Sequence, residues 1–407
     1  MAGQAGRAHE GGSLREVAAV FLKLGVIGFG GPAAHIALMH REVVEWRRWI
    51  DERRFLDLFA LSNLIPGPTS TELAILLGYE RAGWPALFLA GALFILPAMC
   101  IVLAFAWIYV RLGSVPQVGW VLYGVTAAVI GIVADALWRM GRTALTSWLM
   151  WALAAATLAL FLFGVTAILL LAAGALIGLL AAVRRRPSEP SRQGTPGLAW
   201  LGLPSMSALS KGPFVAAVVP GTLASTPAAA TPFGLGTLFL TFLKIGAVVF
   251  GSGYVLLAFA RGDLVTHLHW LTDRQLVDAI SIGQVTPGPV FTTATFIGYL
   301  TGGLAGAIVA TVAIFLPSFV LVIAVRPLLP RMQRSPLMAG LLSGATAASL
   351  GLMAAVTILL ARSVIVDPFT ALIAVASFVA LRRWNVNSAW LVLGGAALGV
   401  VAKAIAG

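Results

Sequence analysis

The chain has 407 residues, of which 59% are hydrophobic and only 10% charged, with a formal net charge of +12 and a mean hydropathy of +0.96. Ordinary globular proteins carry about 25% charged residues, so a soluble exterior is excluded, and apolar runs of about 20 residues point to an all-α polytopic membrane protein. The basic excess does not mark a nucleic-acid binder: Arg184 to Arg186 and Arg382 to Arg383 stand between apolar runs, where they meet lipid headgroups and set orientation.

Residues 1–14 read as a disordered tail without a cleavable signal. The first repeat, 15–183, offers segments Val17–Leu38, Phe55–Gly78, Trp84–Val110, Val118–Leu137, Ala144–Phe161 and Val165–Val183. Residues 184–232 form a basic, proline-rich linker, with a lone extra crossing at Pro213 to Pro220 as the second reading. The second repeat, 233–407, offers Gly236–Ala258, Leu276–Tyr299, Leu304–Val325, Met338–Leu360, Phe369–Leu381 and Ala389–Ala406. Ten to thirteen helices are expected.

The repeat is read from rare residues rather than from apolar ones. A shift of 221 lays Phe21-Leu22-Lys23-Leu24-Gly25 on Phe242-Leu243-Lys244-Ile245-Gly246, Trp49 on Trp270, Arg53 on Arg274 and Asp57 on Asp278. It also lays Pro66-Gly67-Pro68 on Pro287-Gly288-Pro289, after which a shift of 220 matches Leu96-Pro97 to Leu316-Pro317. Chance matching of Leu and Ala does not produce this register.

Two helix breaks recur in each half. One is Gly28-Phe29-Gly30-Gly31-Pro32, matched by Phe250-Gly251-Ser252-Gly253, and the other is Pro66-Gly67-Pro68, matched by Pro287-Gly288-Pro289. Broken backbone is tolerated at membrane depth only where protein or a watery cavity covers it. A helix restarting after the break turns unpaired N–H groups and the positive dipole end inward, a cradle for an anion. Thr69, Ser70 and Thr71 in one copy, and Thr292 and Thr293 in the other, add hydroxyls; Asn63 and Gln284, three residues before each Pro-Gly-Pro, add amides. A plain proline kink is the alternative for the breaks, and a helix–helix polar contact for the amides.

Lys23 and Lys244 sit in apolar segments just before the glycine breaks, where an ammonium ion is costly. They read as fixed charge toward an anion, with snorkelling as the alternative. Glu72 matches Thr293, so one half places a carboxylate where the other keeps a hydroxyl; it is the candidate for a coupling proton. Asp135, four before Arg139, reads as a local ion pair. The basic loop of Arg41, Arg47, Arg48, Arg53 and Arg54 favours the cytoplasmic side. The equivalent loop, carrying Asp263 and Asp273, is less basic, so the charges favour halves of opposite orientation.

The FLKLG–GFGGP, WIDERRF and N-x-x-PGPTST stretches, echoed in the second half, resemble the chromate ion transporter family in its long, two-domain form, over about residues 15–180 and 236–406. The resemblance implies export of chromate across a bacterial inner membrane, conferring resistance, with no cofactor. Helix N-termini and hydroxyls suit a tetrahedral oxyanion, but sulfate is as good a ligand by charge and shape. No nucleotide-binding G-x-x-x-x-G-K-[ST] is present, which favours coupling to a proton or counter-ion gradient. Lone Cys100 and five scattered histidines offer neither a thiolate cluster nor a metal site, so an embedded enzyme and an inert scaffold rank below transport. Expected partners are the oxyanion and membrane lipid, not nucleic acid; a homodimer is compatible with the sequence.

Overall fold

The structure, a computed structural model, describes residues 13–29, 31–112, 116–184, 232–249, 255–328, 335–384 and 386–406. Nearly all of the tail and linker, with its stretch from Pro213 to Pro220, lie outside the described residues, as do Gly30, Gly251 and Ser252. Among the described residues there are fourteen α-helices and no strand. That exceeds the expected count because each break divides what the sequence shows as one apolar segment.

Helix α1 (Leu14–Ile27) stops at Gly28, and α2 (Gly31–His40) runs on into a π-helical turn, Arg41–Trp46. The hairpin they form is closed at its open end by Glu16, which accepts from Trp49 Nε1 at 2.9 Å and from Arg47 at 3.3 Å. Helix α3 (Glu52–Ser62) starts at Asp51, whose carboxylate accepts from the Arg54 N–H, and ends before Pro66-Gly67-Pro68. Helix α4 (Thr69–Leu112) is two helices joined at Ala82-Gly83, where Gly83 takes φ 71°. Its first part, Thr69 to Arg81, spans about 20 Å at 1.5 Å per residue, short of a hydrocarbon core of about 30 Å. Arg54 grips Glu80 through two hydrogen bonds of 2.9 Å, and Arg81 reaches Glu16 at 2.7 Å. Both hairpins therefore open on one face of the molecule and end inside it. They are re-entrant.

After the Gly83 kink the rest of α4 crosses, followed by α5 (Pro116–Ala144), α6 (Trp148–Leu162) and α7 (Ala167–Arg184). The second half repeats the plan: α8 (Leu235–Val248), α9 (Leu256–Ala260) with the π-helical Arg261–His267, α10 (Asp273–Val285) and α11 (Thr293–Val325). A capping box of Thr272 and Gln275 starts α10. Helix α11 kinks at Gly302-Gly303 with φ −141° and 61°, close to the −148° and 71° of Ala82-Gly83. Helices α12 (Pro336–Val364), α13 (Pro368–Trp384) and α14 (Ser388–Ala406) complete it.

The crossing parts of α4 and α11 run antiparallel. Phe88, early in α4, stacks on Phe319, late in α11, at 5.9 Å. Arg326, just past the end of α11, lies 3.6 Å over the Tyr79 ring, whereas Tyr109, near the end of α4, donates to Asp278 near the start of α10. Arg54 and Glu80 thus mark one face, and Arg261 with Asp273, paired at 2.8 Å, marks the other.

The remaining helices are exchanged between halves. Helix α5 packs on α13 and α14, while α12 packs on α6 and α7. The contacts are between backbones: a Cβ on Gly124 would strike the Gly395 carbonyl, and one on Gly344 would strike that of Gly174. Small residues at such crossings let membrane helices approach closely enough for dispersion to hold them. Among the described residues six helices are long and apolar enough to span a bilayer, and side chains such as Leu169, Leu176, Val312 and Leu393 remain exposed on them, as contact with lipid requires. Asp135 pairs with Arg139 along α5.

Candidate functional site at the helix breaks

A chain interrupted by Pro-Gly-Pro must find partners for the backbone groups the helix no longer serves. Here the other repeat supplies them. The Gly67 N–H donates to the Val249 carbonyl at 2.7 Å, and the Gly288 N–H donates to the Gly28 carbonyl at 2.8 Å. Val249 is the repeat equivalent of Gly28, as Gly288 is of Gly67. Each Pro-Gly-Pro tip is therefore tied to the first break of the opposite half. Gly67 and Gly288 hold φ 137° and 94°, conformations that side chains with a Cβ rarely adopt.

The two tips are lined differently. Helix α4 restarts at Thr69, and Thr69, Ser70, Thr71 and Glu72 are all buried. A Cβ on Gly67 would strike a Glu72 carboxylate oxygen and stand 2.6 Å from Ser318 Oγ of α11. Thr71 Oγ1, both Glu72 oxygens and Ser318 Oγ are buried; the Ser318 hydroxyl faces the Glu72 carboxyl, and Thr71 Oγ1 has no hydrogen-bond partner among the described residues. Buried polar atoms are almost always paired, and here a carboxyl and two hydroxyls gather with few partners beyond one another, a place for a proton or a ligand. At the second tip, Thr293 replaces Glu72 and Ala98, 2.7 Å from a Cβ built on Gly288, replaces Ser318. The hydroxyls there are occupied: Thr292 donates to the Pro289 carbonyl and Thr293 to that of Val290, both at 2.8 Å.

His35 was not among the residues singled out from the sequence. It is buried in α2, with Nε2 2.7 Å from the same Gly28 carbonyl that accepts from Gly288. The imidazole so braces the second cross-repeat bond, while its Nδ1 has no partner among the described residues. Its repeat equivalent is Leu256, so the pattern that exposed the other residues passes over it.

The matched lysines have matched partners. Lys23 pairs with Glu42 across the first hairpin, and Lys244 pairs with Asp263 across the second at 2.6 Å. Glu42 and Asp263 are again 221 apart. In this conformation each ammonium ion is neutralised and braces its hairpin arms. Asn63 is exposed and donates to the Phe59 carbonyl, ending α3, whereas Gln284 is buried. Gly31, at φ 77°, opens α2 and Pro32 follows in its first turn; Pro66 is half-buried, and Pro68, Pro287 and Pro289 are buried.

A sequence profile described as chromate transporter matches residues 15–179 and again 236–400. The chain belongs to the chromate transporter family. It is 37% identical over 399 residues to a chromate transport protein of Cupriavidus metallidurans, covering 96% of this chain and 93% of that one. It is 32% identical to a chromate transport protein of Pseudomonas aeruginosa, over 86% of this chain and 82% of that one. An uncharacterized transporter of Bacillus subtilis is 30% identical over 125 residues, which are 30% of this chain but 68% of its own. No solved structure matches.

Proposed function

We propose that the protein is a secondary transporter that exports chromate across a bacterial inner membrane and so confers resistance, holding the dianion at the first Pro-Gly-Pro break. One observation carries the reading: the buried oxygens of Thr71, Glu72 and Ser318, with the Ser318 hydroxyl facing the Glu72 carboxyl, lie where α4 restarts and the opposite repeat touches Gly67. The first-turn N–H groups of Thr69 and Ser70 supply the positive end of the helix dipole. Lys23 and Lys244, released from Glu42 and Asp263, are the reserve of mobile positive charge.

Glu72 supplies the link to protons. An ionised carboxylate in the first turn takes the helix dipole for itself and repels a dianion, so proton and oxyanion bind this break together. The membrane potential favours export, since chromate carries two negative charges, the proton bound with it removes one, and moving the remaining elementary charge through 100 mV is worth about 2.3 kcal/mol. The antiparallel run of α4 and α11 supports repeats inserted with opposite orientation. The face of Arg47, Arg48, Arg53, Arg54 and Arg81 is then cytoplasmic by its positive charge.

Radiolabelled chromate flux in proteoliposomes under an imposed potential tests the reading. Flux that is saturable, faster with the interior negative and inhibited weakly by sulfate is expected. Equal or better transport of sulfate would make it a general divalent-oxyanion carrier, and no flux of either would end the proposal.

A further inference from the structure

Away from the breaks, the end of α4 and the start of α10 enclose a cavity of about 650 Å³, lined by Tyr109, Gly119, Leu122, Arg274, Asp278 and Leu300. It lies on the face marked by Arg261 and Asp273. At its wall Asp278 is 1% exposed. Its Oδ2 accepts from the Tyr109 hydroxyl at 2.8 Å, while its Oδ1 has no hydrogen-bond partner among the described residues. The bond joins the two repeats, because Tyr109 belongs to the first and Asp278 to the second. The repeat offers no second copy: Asp57 is exposed, and the register puts Leu329 opposite Tyr109.

We propose that Asp278 is a proton-binding site loaded from this cavity, whose ionised form latches α4 to α10 through Tyr109. The charged and titratable groups facing it are Tyr109 from α4 and Arg274, one turn back on its own helix. The cavity walls from α5 and α11, namely Gly119, Leu122 and Leu300, bring no charge. A hydrogen bond to an ionised acceptor is roughly twice as strong as one between neutral groups. A proton arriving on Oδ1 therefore weakens the link between the repeats and leaves the Arg274 charge unanswered, ready for an oxyanion passing this mouth. The proton's purpose here rests on the transport reading, but the site itself does not.

Infrared difference spectra of the purified, chromate-free protein in nanodiscs, recorded between pH 8 and pH 5, read the site directly. A carboxyl band that appears on acidification, is lost in Asp278→Asn and persists in Glu72→Gln is expected. Tyr109→Phe removes a donor to the ionised form, so the midpoint of that band moves up by about one pH unit. Chromate flux is measured on the same variants as pH is varied at this face, and Asp278→Asn flattens its profile. A spectrum unchanged by Asp278→Asn, or a pH profile that the variant leaves intact, overturns the proposal. The band present in a wild type that moves no chromate would instead keep the proton site and overturn the transport reading.

Discussion

Gly67 meets Glu72 and Ser318, with Thr71 on the helix that follows; Gly288, on the same backbone plan, meets Ala98, with Thr292 and Thr293 in the segment that follows. In the first set the Ser318 hydroxyl faces the Glu72 carboxyl and Thr71 has no hydrogen-bond partner among the described residues, and in the second both hydroxyls donate to the backbone within three residues. Duplication thus built a crossing with two tips, and divergence kept the polar chemistry at one of them. The second tip, braced by His35, has the character of a mechanical counterpart. A dianion would meet one pocket per chain, not two.

The sharpest break of this comparison is at the glycines. Alanine at Gly67 meets Glu72 and Ser318 at a positive φ, and flux falls below detection even with Ser318→Ala, because the carboxylate stays. Alanine at Gly288 meets chiefly the Ala98 methyl, so Ala98→Gly restores part of the flux. Equal rescue at both tips would remove the asymmetry. Next in size, Gly124→Val and Gly344→Val each force apart an exchanged helix pair, a cost of about 1–3 kcal/mol by overpacking. A drop in the thermal midpoint of the detergent-solubilised protein reads it, and similar drops are expected because the two contacts are repeat equivalents.

Glu72→Gln separates the tips chemically. It keeps the volume and removes the proton, so chromate flux persists while its rise toward acid pH disappears; Thr293→Val leaves the profile as it was. His35→Ala removes one hydrogen bond from the Gly28 carbonyl, worth about 1 kcal/mol, and lowers flux about fivefold, with His35→Gln recovering most of it. The smallest effect is outside the membrane spans. Tyr123 and then Thr370, donating to Asp367, hold its carboxyl below the ordinary range. That support is present at neutral pH and is lost as pH falls through the lowered value. Asp367→Asn therefore shifts the thermal midpoint slightly at pH 7 and not at strongly acid pH.

Much of this was legible in sequence because Lys, Trp, Asp and Pro-Gly-Pro are rare enough to fix a register, and the register located the three breaks that lie in the described residues. What it could not show is that the breaks cross over. The contacts from Gly67 to Val249 and from Gly28 to Gly288 join residues far apart in sequence, and nothing local encodes them. Lys23 and Lys244 were visible as expensive charges, but their partners differ in type, Glu42 against Asp263, and matching by identity passes over them. His35 escaped for a related reason: it departs from the repeat, and function in a duplicated protein collects where the copies disagree.

The exchange of α5 and α12 between halves bears on how the protein is made. When the ribosome has delivered the first half, α5 shows the translocon its glycine-lined flank while α13 and α14 are still unsynthesised, and α6 and α7 await α12. Neither half can finish burying its backbone contacts alone. Maturation must therefore be late and all at once, and a chain truncated after residue 184 should be cleared by quality-control proteolysis rather than accumulate as half a carrier.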